Sequence, residues 1–232
     1  MTTSVHMLVA LSMTIGIYLL AEQIYRKLHR SALVHPVIVT IFALMAILKL
    51  LGWQYAQYHQ DTAIIHFMLG PATVALAIPL YENMALIRKM LVPLLISTIV
   101  GAFVASASAF LLANWLVGEQ VLTRSMLVKS ITTPIAIGVA EKVGGSGSLA
   151  AGLVLLTGAI GCLLLPGFIR LLKIQSDPME GFIMGLTAHG FGTAQAFEKS
   201  VTCGAFAGLA MSLTGVVTAV LIPLFVPLIN LF

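Results

Sequence analysis

AFAGLAMSLTGVVTAVLIPLFVPLINLF, residues 205–232, carries no charged side chain. About 20 apolar residues are enough for a helix to cross the hydrocarbon core of a bilayer. Lipid offers backbone groups no partners, so a run of this kind reads as a spanning helix. The rest of the chain follows the same rule. Hydrophobic residues make up 59% of the 232 and charged residues 9%, with mean hydropathy +1.06. Soluble domains carry about 25% charged residues. The sequence therefore predicts an all-α, polytopic integral membrane protein, one transmembrane domain over 1–232, with the lipid bilayer as its solvent.

Seven further segments precede the last one. They run over about 5–25, 34–53, 64–81, 90–117, 125–139, 149–172 and 182–197. A polar connection, Gln54 to Asp61, follows the second, and a glycine-serine linker, Gly144 to Ser148, follows the fifth. The N-terminus opens Met1-Thr2-Thr3-Ser4, without a basic region before its apolar run or an Ala-x-Ala site after it. It reads as a retained first span. Formal net charge is +4, but the basic residues stand in short loops and no basic run with interleaved aromatics occurs. That pattern speaks for topology and against nucleic acid. Cys162 and Cys203 lie in apolar stretches with no metal or disulfide spacing, so the chain calls for no metal and no cofactor.

Three segments break the rules for a lipid-facing helix. The third holds Gly70-Pro71, Thr73 and Pro79; the fifth holds Ser130, Thr132, Thr133 and Pro134; the seventh holds Thr187, His189, Gly190, Gly192 and Thr193. Proline removes a backbone donor and disturbs the preceding turn. All three are expected to unwind, either as tolerated kinks or as the lining of a polar site. The halves are also alike in order. TIGIYLLAE (14–22) parallels TPIAIGVAE (133–141), and Glu22, Glu82, Glu141 and Glu198 each close a segment. Arg26, Lys27 and Arg30, Arg88 and Lys89, and Arg170 and Lys173 mark three basic loops. All three face the cytoplasm only if one segment fails to cross, and the short, proline-broken fifth is the natural choice. This gives two repeats, about 1–118 and 119–232, facing opposite ways, with the broken helices at their interface.

Catalysis finds no support: no nucleophile triad, HExxH, Walker loop or carboxylate pair stands at useful spacing. A half-helix N-terminus carries partial positive charge and free amides, glycine permits close approach, and no Asp or Glu stands within these segments. A small anion suits such a place, with Gly70, Pro71, Thr73, Ser130, Thr132, Thr133, Pro134, His189, Gly190, Gly192 and Thr193 as candidate binding residues. Hydroxyls that merely bond between helices are the competing reading. For His189 the alternatives are a ligand or proton relay and a neutral imidazole bonded to a carbonyl. Glu141 and Glu198, directly after broken segments, are the candidates for proton coupling.

The runs LGPATVALAIPLY (69–81), KSITTPIA (129–136), GLTAHGFGTAQAFE (185–198) and GAFAGLAMSLTGVVTAVLIP (204–223) resemble the signature blocks of the LrgB/CidB family, in its order. At His189-Gly190-Phe191-Gly192 many relatives instead have an alanine-isoleucine pair before the glycine. The resemblance implies a membrane transporter of small monocarboxylates, of the glycolate, glycerate and pyruvate class, proton- or ion-coupled. It would work beside a small LrgA/CidA-type partner in the inner membrane, with a homo-oligomer compatible. The other activity attached to the family is holin-like, modulating murein hydrolases and lysis.

Overall fold

The computed structural model describes residues 3–28 and 34–229, so His29, Arg30 and 230–232 fall outside it. Every regular element among the described residues is helical. The chain forms two compact units, Met1–Ala75 and Leu76–Phe232.

The first unit holds α1 (Thr3–Lys27), α2 (Pro36–Leu51), α3 (Tyr55–Asp61) and α4 (Ala63–Ala75). Pro36 opens α2, where its missing N–H costs nothing, and Gly52 closes it in the left-handed conformation at φ 66°. The polar connection from Gln54 to Asp61 is in fact a helix, folded back at 117° to α2. It is fixed to α1 by the hydroxyls of Thr14 and Tyr58, 2.7 Å apart. Tyr58, half-buried and bonded to α1, gives this short stretch an anchor, which a polar-loop reading overlooks. The expected break at Gly70-Pro71 is absent too, since α4 runs through Pro71. One proline frees one carbonyl, and unwinding in an apolar setting would strand several more groups.

The second unit holds α5 (Ala77–Glu82), α6 (Met84–Lys89), α7 (Leu91–Leu116), α8 (Gln120–Met126), α9 (Thr133–Lys142), α10 (Gly147–Leu171), α11 (Asp177–Lys199) and α12 (Val201–Ile229). Ser146 caps α10, its Oγ accepting from the Leu149 N–H at 3.4 Å. Glu119 caps α8, accepting from the N–H groups of Val121 at 3.0 Å and Leu122 at 2.6 Å. Both satisfy donors that a helix start leaves free.

Five helical stretches are long and apolar enough to cross a membrane: Val5–Lys27, Ala63–Glu82, Leu91–Leu116, Gly147–Leu171 and Val201–Val226. The bent α2–α3 pair makes a sixth if counted as one. The fifth and seventh sequence segments are not among them. At 25 residues, α10 is about 37 Å long, ample for a hydrocarbon core of about 30 Å.

Candidate functional site: two hairpin tips

The seventh segment does not cross; it turns back on itself. A straight 23-residue helix would hold its ends about 33 Å apart. Instead Lys199 at the end of α11 bonds to Asp177 at its start, Nζ to Oδ1 3.0 Å, and also to Glu180. The Ser200 hydroxyl donates to Asp177 Oδ2 at 2.6 Å. The chain reverses at His189, whose φ of 41° and ψ of −121° are not helical. Gly192 comes so near the first arm that a Cβ there would stand 2.1 Å from the Met184 carbonyl oxygen. Both arms lean on α12. A Cβ on Gly181 or Gly185 would meet the carbonyl oxygens of Cys203 and Ala207 at 1.9 and 2.0 Å.

The fifth segment is a hairpin too, the first of the two in chain order. Its backbone leaves the helix after Met126 and resumes at Thr133, with Thr132 extended at φ −71°, ψ 145°. Ser125 before the break and Ser146 beyond α9 lie side by side, the Ser146 N–H donating to Ser125 Oγ at 2.9 Å. The Ser106 hydroxyl on α7 donates to the Leu127 carbonyl at 2.7 Å, satisfying an acceptor that the break would strand. Since this hairpin returns to its own side, α7 and α10 run in opposite directions. The start of α7 and the start of α11 accordingly share one end of the unit. A cavity of about 140 Å³ there is lined by residues from both, Pro93 and Ser97 with Pro178 and Phe182 among them. Arg88, Lys89, Arg170 and Lys173 mark that same end, while the first hairpin enters from the other.

The two tips meet beside Val154. Val128 and Ile131 of the first tip share an apolar cluster with Val154. The His189 ring of the second tip donates from Nε2 to the Val154 carbonyl at 3.1 Å. Gly158, one turn further along α10, makes room for the ring; a Cβ there would stand 2.7 Å from its Cε1. On α12, Thr193 Oγ1 lies 3.7 Å from Met211 Sδ. Ile135 of the first hairpin packs over Gly215, the next turn. Two half-helix starts thus converge, at Thr133 and at Gly190, where free N–H groups cluster. No carboxylate belongs to either tip.

Segments five and seven therefore bring Ser130, Thr132, Thr133, Pro134, His189, Gly190, Gly192 and Thr193 into one region. Ser130, His189 and Thr193 are buried, and the Thr193 hydroxyl donates to the His189 carbonyl at 2.8 Å. Gly190 faces open space. Gly70, Pro71 and Thr73 belong to α4, in the other unit. Glu141 and Glu198 sit at the hairpin bases and are exposed. The 140 Å³ cavity is apolar in its lining and contains none of the candidate residues.

Lys129 is the residue that the sequence reading passed over. It stands on the first tip, partly buried, next to Val128 of the Val154 cluster and with Nζ 3.1 Å from Ser130 Oγ. No ion pair to it occurs among the described residues. The signal was present, because an ionisable residue inside a membrane segment is a functional candidate by default.

These elements define a polytopic, all-helical membrane protein whose second unit carries two helical hairpins. The chain belongs to the LrgB-like family, whose profile matches residues 14–228. It is 31% identical over 207 residues to the antiholin-like protein LrgB of Bacillus subtilis, covering 89% of this chain and 90% of that one. It is 35% identical over 211 residues to the B. subtilis protein YwbG, covering 91% and 93%. The holin-like protein CidB of Staphylococcus epidermidis is 29% identical over 214 residues, covering 92% and 93%. No solved structure matches.

Proposed function

We propose that this protein transports small monocarboxylates, and that the cargo binds where the two hairpin tips meet. The observation that supports the reading most is the convergence of two half-helix starts, with the hydroxyls of Thr132, Thr133 and Thr193, in a region without carboxylates. Amide and hydroxyl donors in a low-dielectric setting favour a negative guest. His189 assists binding or proton transfer. Glu141 and Glu198, at the bases of opposed hairpins, couple transport to protons or another ion. One half of an inverted pair moves against the other to alternate access, in the inner membrane and beside an LrgA/CidA-type partner.

A holin-like role in permeabilisation or lysis is the second reading. The names of the relatives, antiholin-like LrgB and holin-like CidB, support it more directly than they support transport. Proteoliposomes separate the two. Saturable uptake of labelled glycolate, glycerate or pyruvate, lost in Thr133→Val and His189→Ala, is the expected result. Leakage of unrelated dyes, indifferent to both substitutions, would overturn it.

A further inference from the structure

We infer that Lys129 sets the charge of the cargo: its single ammonium at the junction of the two hairpin tips makes this a site for one negative charge, selecting monoanions over dianions. The inference rests on the transport reading and adds the residue that discriminates. Lys129 stands in the turn between α8 and α9, its N–H donating to the Met126 carbonyl at 3.4 Å, and is flanked by the fully buried Val128 and by Ser130, so it is anchored on both sides. Its only polar partner among the described residues is the neutral Ser130 hydroxyl.

An ammonium held inside a membrane segment without a counter-charge is costly. His189, on the other tip, has its Nε2 proton committed to the Val154 carbonyl. Dipoles of the half-helix starts at Thr133 and Gly190 add attraction but no whole charge. One bound carboxylate would complete Lys129 as an ion pair. A second carboxylate on the same ligand would be an unpaired anion among Val128, Ile131 and Val154, which share the apolar cluster there.

The test uses the purified full-length protein in detergent and in proteoliposomes, with sodium glycolate and sodium malonate as probes at matched ionic strength and pH 7. Glycolate raises the thermal midpoint of the wild type and malonate does not. Lys129→Arg retains this response. Lys129→Gln weakens glycolate binding at least tenfold while dye retention stays intact. Lys129→Gln binding and carrying glycolate within twofold of wild type overturns the inference and leaves the transport reading standing. Malonate binding the wild type as well as glycolate does the same, and needs no variant to fold. Absence of any anion response together with absence of saturable uptake in the wild type overturns both.

Discussion

Replacing His189 by glycine should leave the protein more stable than replacing it by alanine. In a continuous helix the order is the reverse: glycine is less favourable than alanine by about 1 kcal/mol. At φ 41°, ψ −121° a residue with a Cβ instead bears a strain of about 1–3 kcal/mol that glycine escapes. Both substitutions remove the bond to the Val154 carbonyl, so that loss cancels between them. The difference between the variants therefore swings by about 2–4 kcal/mol relative to a helical position. Thr187, two residues earlier and exposed on the first arm, supplies the control. Its hydroxyl bonds only to Ile183 of its own helix, at 2.6 Å, and there Thr187→Ala should outlast Thr187→Gly by about 1 kcal/mol. Equilibrium unfolding in mixed micelles reads both pairs. If alanine is the better substitute at both positions, the chain does not reverse at His189 and the tip junction does not exist.

Gly185→Ala should cost about 3 kcal/mol, because the new Cβ would press on the Ala207 carbonyl, backbone that no rotamer change can move; Gly167→Ala, on α10 with open space around it, should cost nothing in the same unfolding assay. Membrane-impermeant maleimide should label Ser148→Cys and Met179→Cys from opposite faces of the membrane, since they mark the bases of opposed hairpins; Cys162 and Cys203, fully buried, leave the background silent, and labelling from one face refutes the arrangement. The base of the second hairpin should weaken in acid. The Ser200 hydroxyl and then Lys199 hold the Asp177 carboxyl below its usual range, so its contribution is present above about pH 4 and is lost as pH falls through the depressed value. Glu180 and then Asp177 hold Lys199 above its usual range, so that contribution is present below about pH 10 and is lost only as pH rises through the raised value. Thermal midpoints of wild type and Lys199→Met should begin to converge as pH falls below about 4 and differ by a constant amount from pH 5 to 8.

Hydropathy alone carried the long helices, because α7, α10 and α12 are apolar around most of their circumference and need no further information. It also marked the right places for trouble: Thr132-Thr133-Pro134 and the glycines around His189 are where the backbone leaves the helix. What periodicity and composition do not encode is direction after a break. Thr193 and Gly190 look the same on a kinked span and on a hairpin. The deciding contacts are distant ones, Lys199 with Asp177 and Ser146 with Ser125, each about twenty residues apart in sequence. Pro71 misled for the opposite reason, since a proline identifies a weakened helix and not whether its neighbours leave the helix any better alternative. Lys129 was legible in principle. As the first residue of KSITTPIA it blends into a signature run, although it is a charge inside a membrane segment.

Each tip exposes backbone that lipid could not tolerate, and each is covered by the other together with α10 and α12. The Leu127 carbonyl is taken by Ser106, the His189 carbonyl by Thr193, and the Val154 carbonyl receives the imidazole. Helical chain that merely needed to cross would have no use for such arrangements, because a continuous α-helix satisfies its own backbone. Two breaks, entering from opposite ends and stopping at the same turn of α10, cost conformational strain at His189 and an unpaired ammonium at Lys129. Both costs fall in the one region where half-helix donors gather. Strain and uncompensated charge persist when the surrounding structure over-determines them, and Gly158 against the His189 and Phe191 rings and Gly192 against the Met184 backbone provide that determination. Strain at His189 and the unpaired ammonium at Lys129 therefore fall together at the place where the proposed anion site would lie.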